Sequence, residues 1–545
     1  MRRIILLVII SFPLILFAQK KDYKTYDRAL KHIREGNHQK AKKLCLKLIK
    51  NDSSWNKPHL LISSIYKNEG KIEEAVSYLL NVYNPDNPEH ISGIEQIAIL
   101  YIKNGFYNEA LYYFNKCINF KSSRDSSRFF RFRNNCLFAI KAKENPVSFV
   151  SYNMGENINS NMAEYLPVIT ADDNIIVFTR RVEESDKIPQ EDFYISYRGE
   201  DKKFQKSYPF DVSPINTELN EGAFNFSPDQ SMLVYTSCDR PEGIGRCDIY
   251  YSTSSNWDLS RNLGPNINSK HWDSQACFSP DGKYLYFVSN RPGGMGGKDI
   301  WVSRIDDGFQ KAYNLGPSIN TIKDEISPFI HPDNLTFYFS SNGHIGMGDY
   351  DIFVSRRADI EQNWGKPKNL GYPINTHLVE NSLVVASDGK TAYYTSNHNG
   401  FGQEDIFYFE LSESNRATEL SELEVKIISS KQGKEIILNN VYFENNSFVL
   451  DTLSFSELDE LINLLRKNHS MEIKIEGHTD NIGQDTDNLI LSQNRAKSVY
   501  DYLVNHGISK ARLSYKGFGA RRPISTNSTK EGRAQNRRTS FVIIY

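Results

Sequence analysis

The stretch Phe278-Ser-Pro-Asp-Gly-Lys-Tyr-Leu-Tyr-Phe-Val-Ser289 places a Pro-Asp-Gly turn before a run of aromatic and apolar residues. Such residues read as the end of one strand, a tight turn and a second strand. The same unit recurs as ITADDNIIVFTR (169–180), FSPDQSMLVYTS (226–237), IHPDNLTFYFSS (330–341) and VASDGKTAYYTS (385–396), at intervals of 52 to 57 residues. Each is followed by a third strand opening on an acid, at Asp192, Asp248, Asp299, Asp351 and Asp405. An Ile-Asn pair follows each expected outer strand, at Asn159, Asn216, Asn268, Asn320 and Asn375. The first outer strand, in VSFVSYNMGENIN (147–159), precedes the first three-strand set, and none follows the last. The two sets balance only if the first strand pairs with the last, which closes a ring and leaves no bare sheet edge. Residues 146–411 are therefore expected to form an all-β, five-bladed propeller.

These motifs resemble the PD40 repeats of the TolB-like propeller group. An acid stands five residues after each of the asparagines, at Glu164, Glu221, Asp273, Glu325 and Glu380. If each opens an innermost strand, the five form an acidic ring at one end of the central channel. Two roles are open to it: accepting hydrogen bonds from the neighbouring blade, or holding a cation or basic peptide. The Gly-rich loops RPGGMGGKD and HIGMGDYD lie between strands and are not followed by a helix, so they read as hairpin turns rather than phosphate cradles.

Residues 20–145 carry a helical period instead. REGNHQKAKKLCLKLI, NEGKIEEAVSYLLNVY and KNGFYNEALYYFNKCI align without a gap, with Gly36, Gly70 and Gly105 each five residues before Ala41, Ala75 and Ala110. Glycine turns the chain between two helices and the small alanine lets them approach. The pattern resembles the tetratricopeptide repeat, and stacking of such helix pairs implies a short solenoid. SSRFFRFRNNCLFAIKAK reads as its capping helix.

The chain opens on Met1-Arg2-Arg3, a short apolar run and Ala18-Gln19. This reads as a signal peptide, 1–18, cut after Ala18; the apolar run is short for a bilayer. Sixty-five basic residues against 66 acidic ones exert no general pull on nucleic acid. Of six cysteines, Cys238 and Cys247 flank a turn-rich loop whose hairpin geometry would let them bridge, and the other four lie in apolar patterns. No metal or cofactor signature is present.

A charge-mixed segment, 412–435, reads as a partly ordered linker. The last domain, 436–545, alternates strands and helices: IILNNVYFENNS, an amphipathic helix with a Ser456-x-x-Asp459 capping signal, MEIKIEGHTD, the helix LSQNRAKSVYDYLVNHG, and two further strands. This order implies an α/β sandwich. GHTDNIG (477–483), the Asn494-Arg495-Ala496 run and GFGARRPI with EGRAQNRR (531–538) resemble the OmpA/Pal-type peptidoglycan-binding domain throughout. The resemblance implies that Asp480 and Arg495 grip diaminopimelate of the stem peptide, with Asn488 and Thr479 adding polar contacts. The chemistry suits it: a carboxylate takes the ligand ammonium and a planar guanidinium takes its carboxylate by two bonds. Arg495 is expected in the first turns of its helix; Arg533, Arg537 and Arg538 are expected as solvated or structural charges, with added contacts to the acidic wall polymer as the alternative.

The expected protein is thus a noncatalytic periplasmic cell-wall anchor, peripheral to the outer membrane, whose propeller and helical repeats meet envelope proteins. Its domain order is similar to envelope proteins of Bacteroidetes-type bacteria, including a peptidoglycan-binding component associated with type IX secretion. The alternative, a propeller-containing peptidase or a wall hydrolase, lacks a Gly-x-Ser-x-Gly elbow and a His-Glu-x-x-His zinc site.

Overall fold

The computed structural model describes residues 21–120, 127–182, 190–210, 215–254, 256–397, 400–430, 433–444, 447–468 and 471–544. The expected signal peptide lies outside them. The chain divides into two compact units, before and after the Glu144–Asn145 junction.

The first unit is helical. Three hairpins pair Tyr23–Arg34 with His38–Asn51, Asn56–Asn68 with Ile72–Leu80, and Ile91–Ile102 with Tyr107–Phe120, and Ser127–Glu144 packs on the last. Gly36, Gly70 and Gly105 sit between the paired helices with φ of 72°, 71° and 76°, a left-handed turn that costs other residues more. Ala41, Ala75 and Ala110 are fully buried, so the small side chain does set the close approach of each pair. Cys45, Cys117 and Cys136 are buried in the same interfaces as free thiols.

The second unit begins with five four-stranded antiparallel sheets. The first holds Glu164–Ile169, Ile175–Val182, Gln190–Tyr197 and Tyr208–Pro209. The second holds Glu221–Phe226, Met232–Cys238, Cys247–Thr253 and Asn256–Asn262. The third holds Asp273–Phe278, Tyr284–Ser289, Asp299–Arg304 and Tyr313–Asn314, and the fourth Glu325–Ile330, Thr336–Ser341, Asp351–Arg356 and Lys368–Asn369. The fifth joins Asn381–Val385, Thr391–Ser396 and Asp405–Glu410 to Ser151–Asn153 from the start of the unit, with Tyr152 opposite Tyr408. First strands of successive sheets adjoin, and that of the fifth adjoins that of the first.

The Ile-Asn repeat has a specific use. Asn159 Nδ2 donates to Ile406 O and its Oδ1 accepts from Ile406 N, both at 2.8 Å. Asn216, Asn268, Asn320 and Asn375 form the same two-bond clamp with Phe193, Ile249, Ile300 and Ile352. Each side-chain amide mimics a strand backbone and fastens the connecting loop to the preceding sheet. The isoleucines beside them are buried between sheets. Every first strand also carries a bulge with a non-glycine residue at positive φ: Leu166, Ala223, Gln275, Ser327 and Ser382. Those five residues line a cavity of about 50 Å³ shared by all five sheets. Cys238 and Cys247 lie opposite each other in the second sheet and are joined by a disulfide.

Residues 412–428, expected to be partly ordered linker, are held throughout. Asn415 is fully buried; its Nδ2 donates to Leu370 O and its carbonyl accepts from Tyr338 Oη. Ala417 N and Leu420 N donate to Gly389 O and Ser387 O, and Thr418 N to Asp333. The helix Glu422–Ile428 starts at once, with a Ser421/Glu424 capping box, and buries Leu423 and Ile427 in the core of the C-terminal domain. The charge-mixed composition hid two apolar anchors at helical spacing.

The C-terminal sheet runs Glu435–Leu438, Thr539–Ile543, Ile473–His478, Leu513–Gly519, with only the last pair parallel. Helices Phe455–Lys467 and Asp485–Asn505 cover one face, burying Leu458, Leu461, Val499 and Leu503 against Ile473, Ile475 and Phe541. Each such side chain contributes about 1.5–3 kcal/mol. The expected Ser456 cap is not used: Asp451 caps a preceding 3₁₀ turn, Thr452–Ser454, and Ser456 is inside the helix. Gly477 and Gly517 let helix Asp485–Asn505 lie directly on the sheet, since a Cβ on either would fall 2.2 Å from Ser492 O or 2.3 Å from Gln493 N. Gly477→Ala should therefore destabilise the domain by about 1–3 kcal/mol, read as a lower urea midpoint; an unchanged midpoint would contradict this packing.

Candidate functional site

The strand Ile473–His478 ends in a loop that turns back into helix Asp485–Asn505. Thr479 N continues the sheet by donating to Gly519 O at 3.0 Å, while its Oγ1 is buried without a partner. Asp480 is buried; its Oδ1 accepts from Ile482 N at 3.0 Å, which tightens the turn. Asn488 reaches from the first turn of the helix and donates to Ile482 O at 3.0 Å and Asp480 O at 3.4 Å. Its donors therefore hold the loop, a role distinct from the ligand contact expected of it.

Asp480 Oδ2 accepts from Arg537 Nη1 at 2.6 Å. The sequence leaves Arg537 open as a solvated or structural charge or as an added contact to the wall polymer; the structure places it at the Asp480 carboxylate. Arg495 is half-buried, its guanidinium over the Phe443 ring at 5.0 Å and its Nε donating to Ser447 O at 3.1 Å. Among the described residues its two Nη atoms have no hydrogen-bond partner. Burial and the neighbouring Arg537 lower its pKa, and Asp480 opposes them. Arg495, Arg537 and Asp480 thus share one small region with two cations to one anion, an arrangement that attracts a second carboxylate.

The expected position of Arg495 near the helix N-terminus is corrected. The helix begins at Asp485, so Arg495 lies almost three turns in, and the first turn carries Asp485 and Asp487. The terminal N–H groups do not reach it. Arg538 is structural: it forks onto Glu435 at 2.7 and 3.1 Å and ties the last strand to the edge strand. Arg533 donates to Asn527 O.

Glu164, Glu221, Asp273 and Glu325 open their strands and Glu380 stands one residue before Asn381–Val385, yet none of the five lines the shared cavity. Each is buried and accepts from the amide and hydroxyl of a Ser or Thr four residues earlier: Ser160, Thr217, Ser269, Thr321 and Thr376. The donors are in the acid's own loop rather than the neighbouring sheet. The five carboxylates close turns and do not form an open ring.

Residues 442–537 match the model of the OmpA family. The match covers most of the C-terminal domain. This domain is 35% identical over 117 residues to the probable lipoprotein YiaD of Escherichia coli, covering 21% of this chain and 53% of that protein. It is 36% identical over 103 residues to the peptidoglycan-binding protein ArfA of Mycobacterium tuberculosis, covering 19% and 32%. The crystal structure of the peptidoglycan-associated lipoprotein from Burkholderia pseudomallei matches at 29% identity with a TM-score of 0.18, covering 19% of this chain and 87% of that one. The chain spans about half, or less, of the length of these curated relatives. Among the described residues no helix is long and apolar enough to cross a membrane.

His478, two residues before Asp480, is buried, stacks on Phe518 and lies 3.4 Å from Glu435. Burial, then Arg538 and Arg522, push its imidazole down to about 4 against the pull of Glu435. The unfolded chain takes up this proton near 6.5. Hence the domain should lose stability as pH falls from about 6.5 toward 4. His478→Gln should flatten that slope, and NMR titration of wild type should show no His478 midpoint near 6.5.

Proposed function

We propose that this protein is a noncatalytic periplasmic anchor whose OmpA-family domain holds the diaminopimelate-bearing stem of peptidoglycan. The observation that carries the reading is the Asp480–Arg495–Arg537 group. One anion stands beside a half-buried guanidinium whose outer nitrogens are unengaged, on a loop stiffened by Asn488. A ligand presenting an ammonium and a carboxylate on one carbon matches it: the ammonium binds Asp480 and the carboxylate bridges to Arg495. Arg537 holds Asp480 in place before the ligand arrives and neutralises it. The names of the relatives, peptidoglycan-binding and peptidoglycan-associated, agree with this chemistry.

The reading extends to the other parts. Five sheets joined edge to edge through their first strands, with Ser151–Asn153 completing the fifth, support a five-bladed propeller of PD40 type. The Gly-Ala hairpins support a tetratricopeptide-type solenoid. Both offer surfaces for envelope or outer-membrane proteins, and type IX secretion is the assembly that this domain order suggests.

The test is retention of the mature chain on purified diaminopimelate-type peptidoglycan. Asp480→Ala and Arg495→Ala should each weaken binding by about 10–100-fold, the loss of a charge-assisted bond. Both should keep wild-type circular dichroism. Binding by wild type and both variants alike would remove the pair from the site, and no binding by wild type would overturn the anchor reading.

A further inference from the structure

The five-fold repetition supplies its own controls for the buried acids. In the first three sheets the acid at the first strand has an arginine from the following hairpin: Arg180 to Glu164 at 2.7 Å, Arg240 to Glu221 at 3.4 Å and Arg291 to Asp273 at 2.5 Å. Arg180 and Arg291 also donate to the carbonyls of Ile158 and Ile267. In the fourth sheet His344 takes that place. Its Nε2 meets the corresponding carbonyl, Ile319 O, at 2.7 Å, but it does not pair with Glu325. Glu325 is 0% exposed and, among the described residues, held only by Thr321 and Ser341. Glu380, in the fifth sheet, is 3% exposed, and Thr376 is its only hydrogen-bond partner among the described residues.

Each of these acids adjoins the aspartate that opens the third strand of the preceding sheet, because backbone bonds stitch the two together: Glu325 N to Lys298 O at 2.7 Å, and Glu380 N to Tyr350 O at 3.0 Å. Asp248 and Asp405 have both oxygens hydrogen-bonded. Asp299 and Asp351 do not. Each places Oδ2 on two loop amides, that of Asp299 also accepting from Asn314 Nδ2, and leaves Oδ1 buried without a partner among the described residues, at 1% and 2% residue exposure. The two orphaned oxygens thus fall in the two seams whose second acid has no arginine partner among the described residues. Asp324 and Asp349 add further negative charge beside the two seams. A buried carboxylate without compensation is costly, and two facing each other are more so.

We propose that the seams on either side of the fourth sheet each bind a hard divalent cation of the calcium class, one between Asp299 and Glu325 and one between Asp351 and Glu380. The surroundings are oxygen-rich. The glycine loops that wrap the aspartates press against the next sheet's carbonyls, a Cβ on Gly296 falling 2.2 Å from Lys323 O and one on Gly348 2.2 Å from Leu378 O. No group of three or more His, Cys, Asp and Glu side chains suited to a metal gathers among the described residues. The remaining ligands are therefore carbonyls and water, within the oxygen-only and variable coordination of calcium. In this arrangement the cation replaces the arginine of the other sheets and ties adjacent sheets together.

The experiment uses the full mature chain, stripped with chelator, titrated with CaCl2 by calorimetry and followed by thermal unfolding at pH 7.5. Wild type should bind about two calcium ions and melt higher with calcium present, as a ligand of the folded state requires. Asp299→Asn and Asp351→Asn should each remove one. His344→Arg, which supplies the missing arginine, should remove the site at Glu325 while the protein stays folded without calcium. Absence of binding heat and of a melting shift in wild type would overturn the proposal. So would a melting point that rises from pH 8 to pH 6 and ignores calcium, since the seams would then share protons instead.

Discussion

The side-chain amide of asparagine, repeated five times, is the constraint on which the β region depends. A connecting loop has no ladder of its own, and each of these amides gives it one by pairing both ways with a third-strand backbone. Four copies act between elements close in sequence. The fifth, Asn159 with Ile406, acts across 247 residues and fastens the two ends of the region to each other. The net worth of such a bond pair is about 1–3 kcal/mol. Its larger effect is to fix register, since the clamp is satisfied in only one alignment of loop and sheet. The bulges and their left-handed residues then recur at one depth in every first strand.

A different constraint governs the C-terminal domain. There a helix sits so near the sheet that glycine is required beneath it at two points, and the candidate site grows from that contact. Asn488, Ser492 and Arg495 project from the helix toward the ends of the strands. Ser492 accepts Gly519 N and Asn488 holds the Asp480 loop, so both are spent on position. Of the three, Arg495 keeps two outer nitrogens with no hydrogen-bond partner among the described residues. The Asp480–Arg537 bond shows that the carboxylate is not left bare; under the proposed function, a ligand ammonium joins or exchanges with an existing partner. Such exchange favours ligands carrying both signs over simple cations.

What could be read in the residues was what repeats or what is locally encoded. Gly36, Gly70 and Gly105 announce left-handed turns, and Pro-Asp-Gly announces hairpins, because one residue's backbone preference decides the matter. Counting strands against outer strands was enough to pair Ser151–Asn153 with Phe407–Phe409, since an unpaired edge is unfavourable wherever it falls. Arg537 as the partner of Asp480 was not readable: 57 residues separate them, and three nearby arginines offer equal charge. Segment 412–428 was misread for a related reason. Its polar composition suggests solvent, but Asn415, Leu423 and Ile427 are buried against partners remote in sequence. The position of Arg495 was misjudged because the helix begins earlier than its first strong apolar pattern.

The docking of 412–428 also has a mechanical meaning. A tether of free chain lengthens under load before it transmits anything, and its slack isolates what hangs at either end. Here the segment leaves the fifth sheet through the Ala417–Gly389 and Leu420–Ser387 bonds and enters the C-terminal core at Leu423. Tension applied to one side meets those backbone bonds and the buried Asn415 within a few residues. Displacement of the C-terminal domain therefore reaches the five sheets almost undamped, until that short set of bonds gives way and releases spare length.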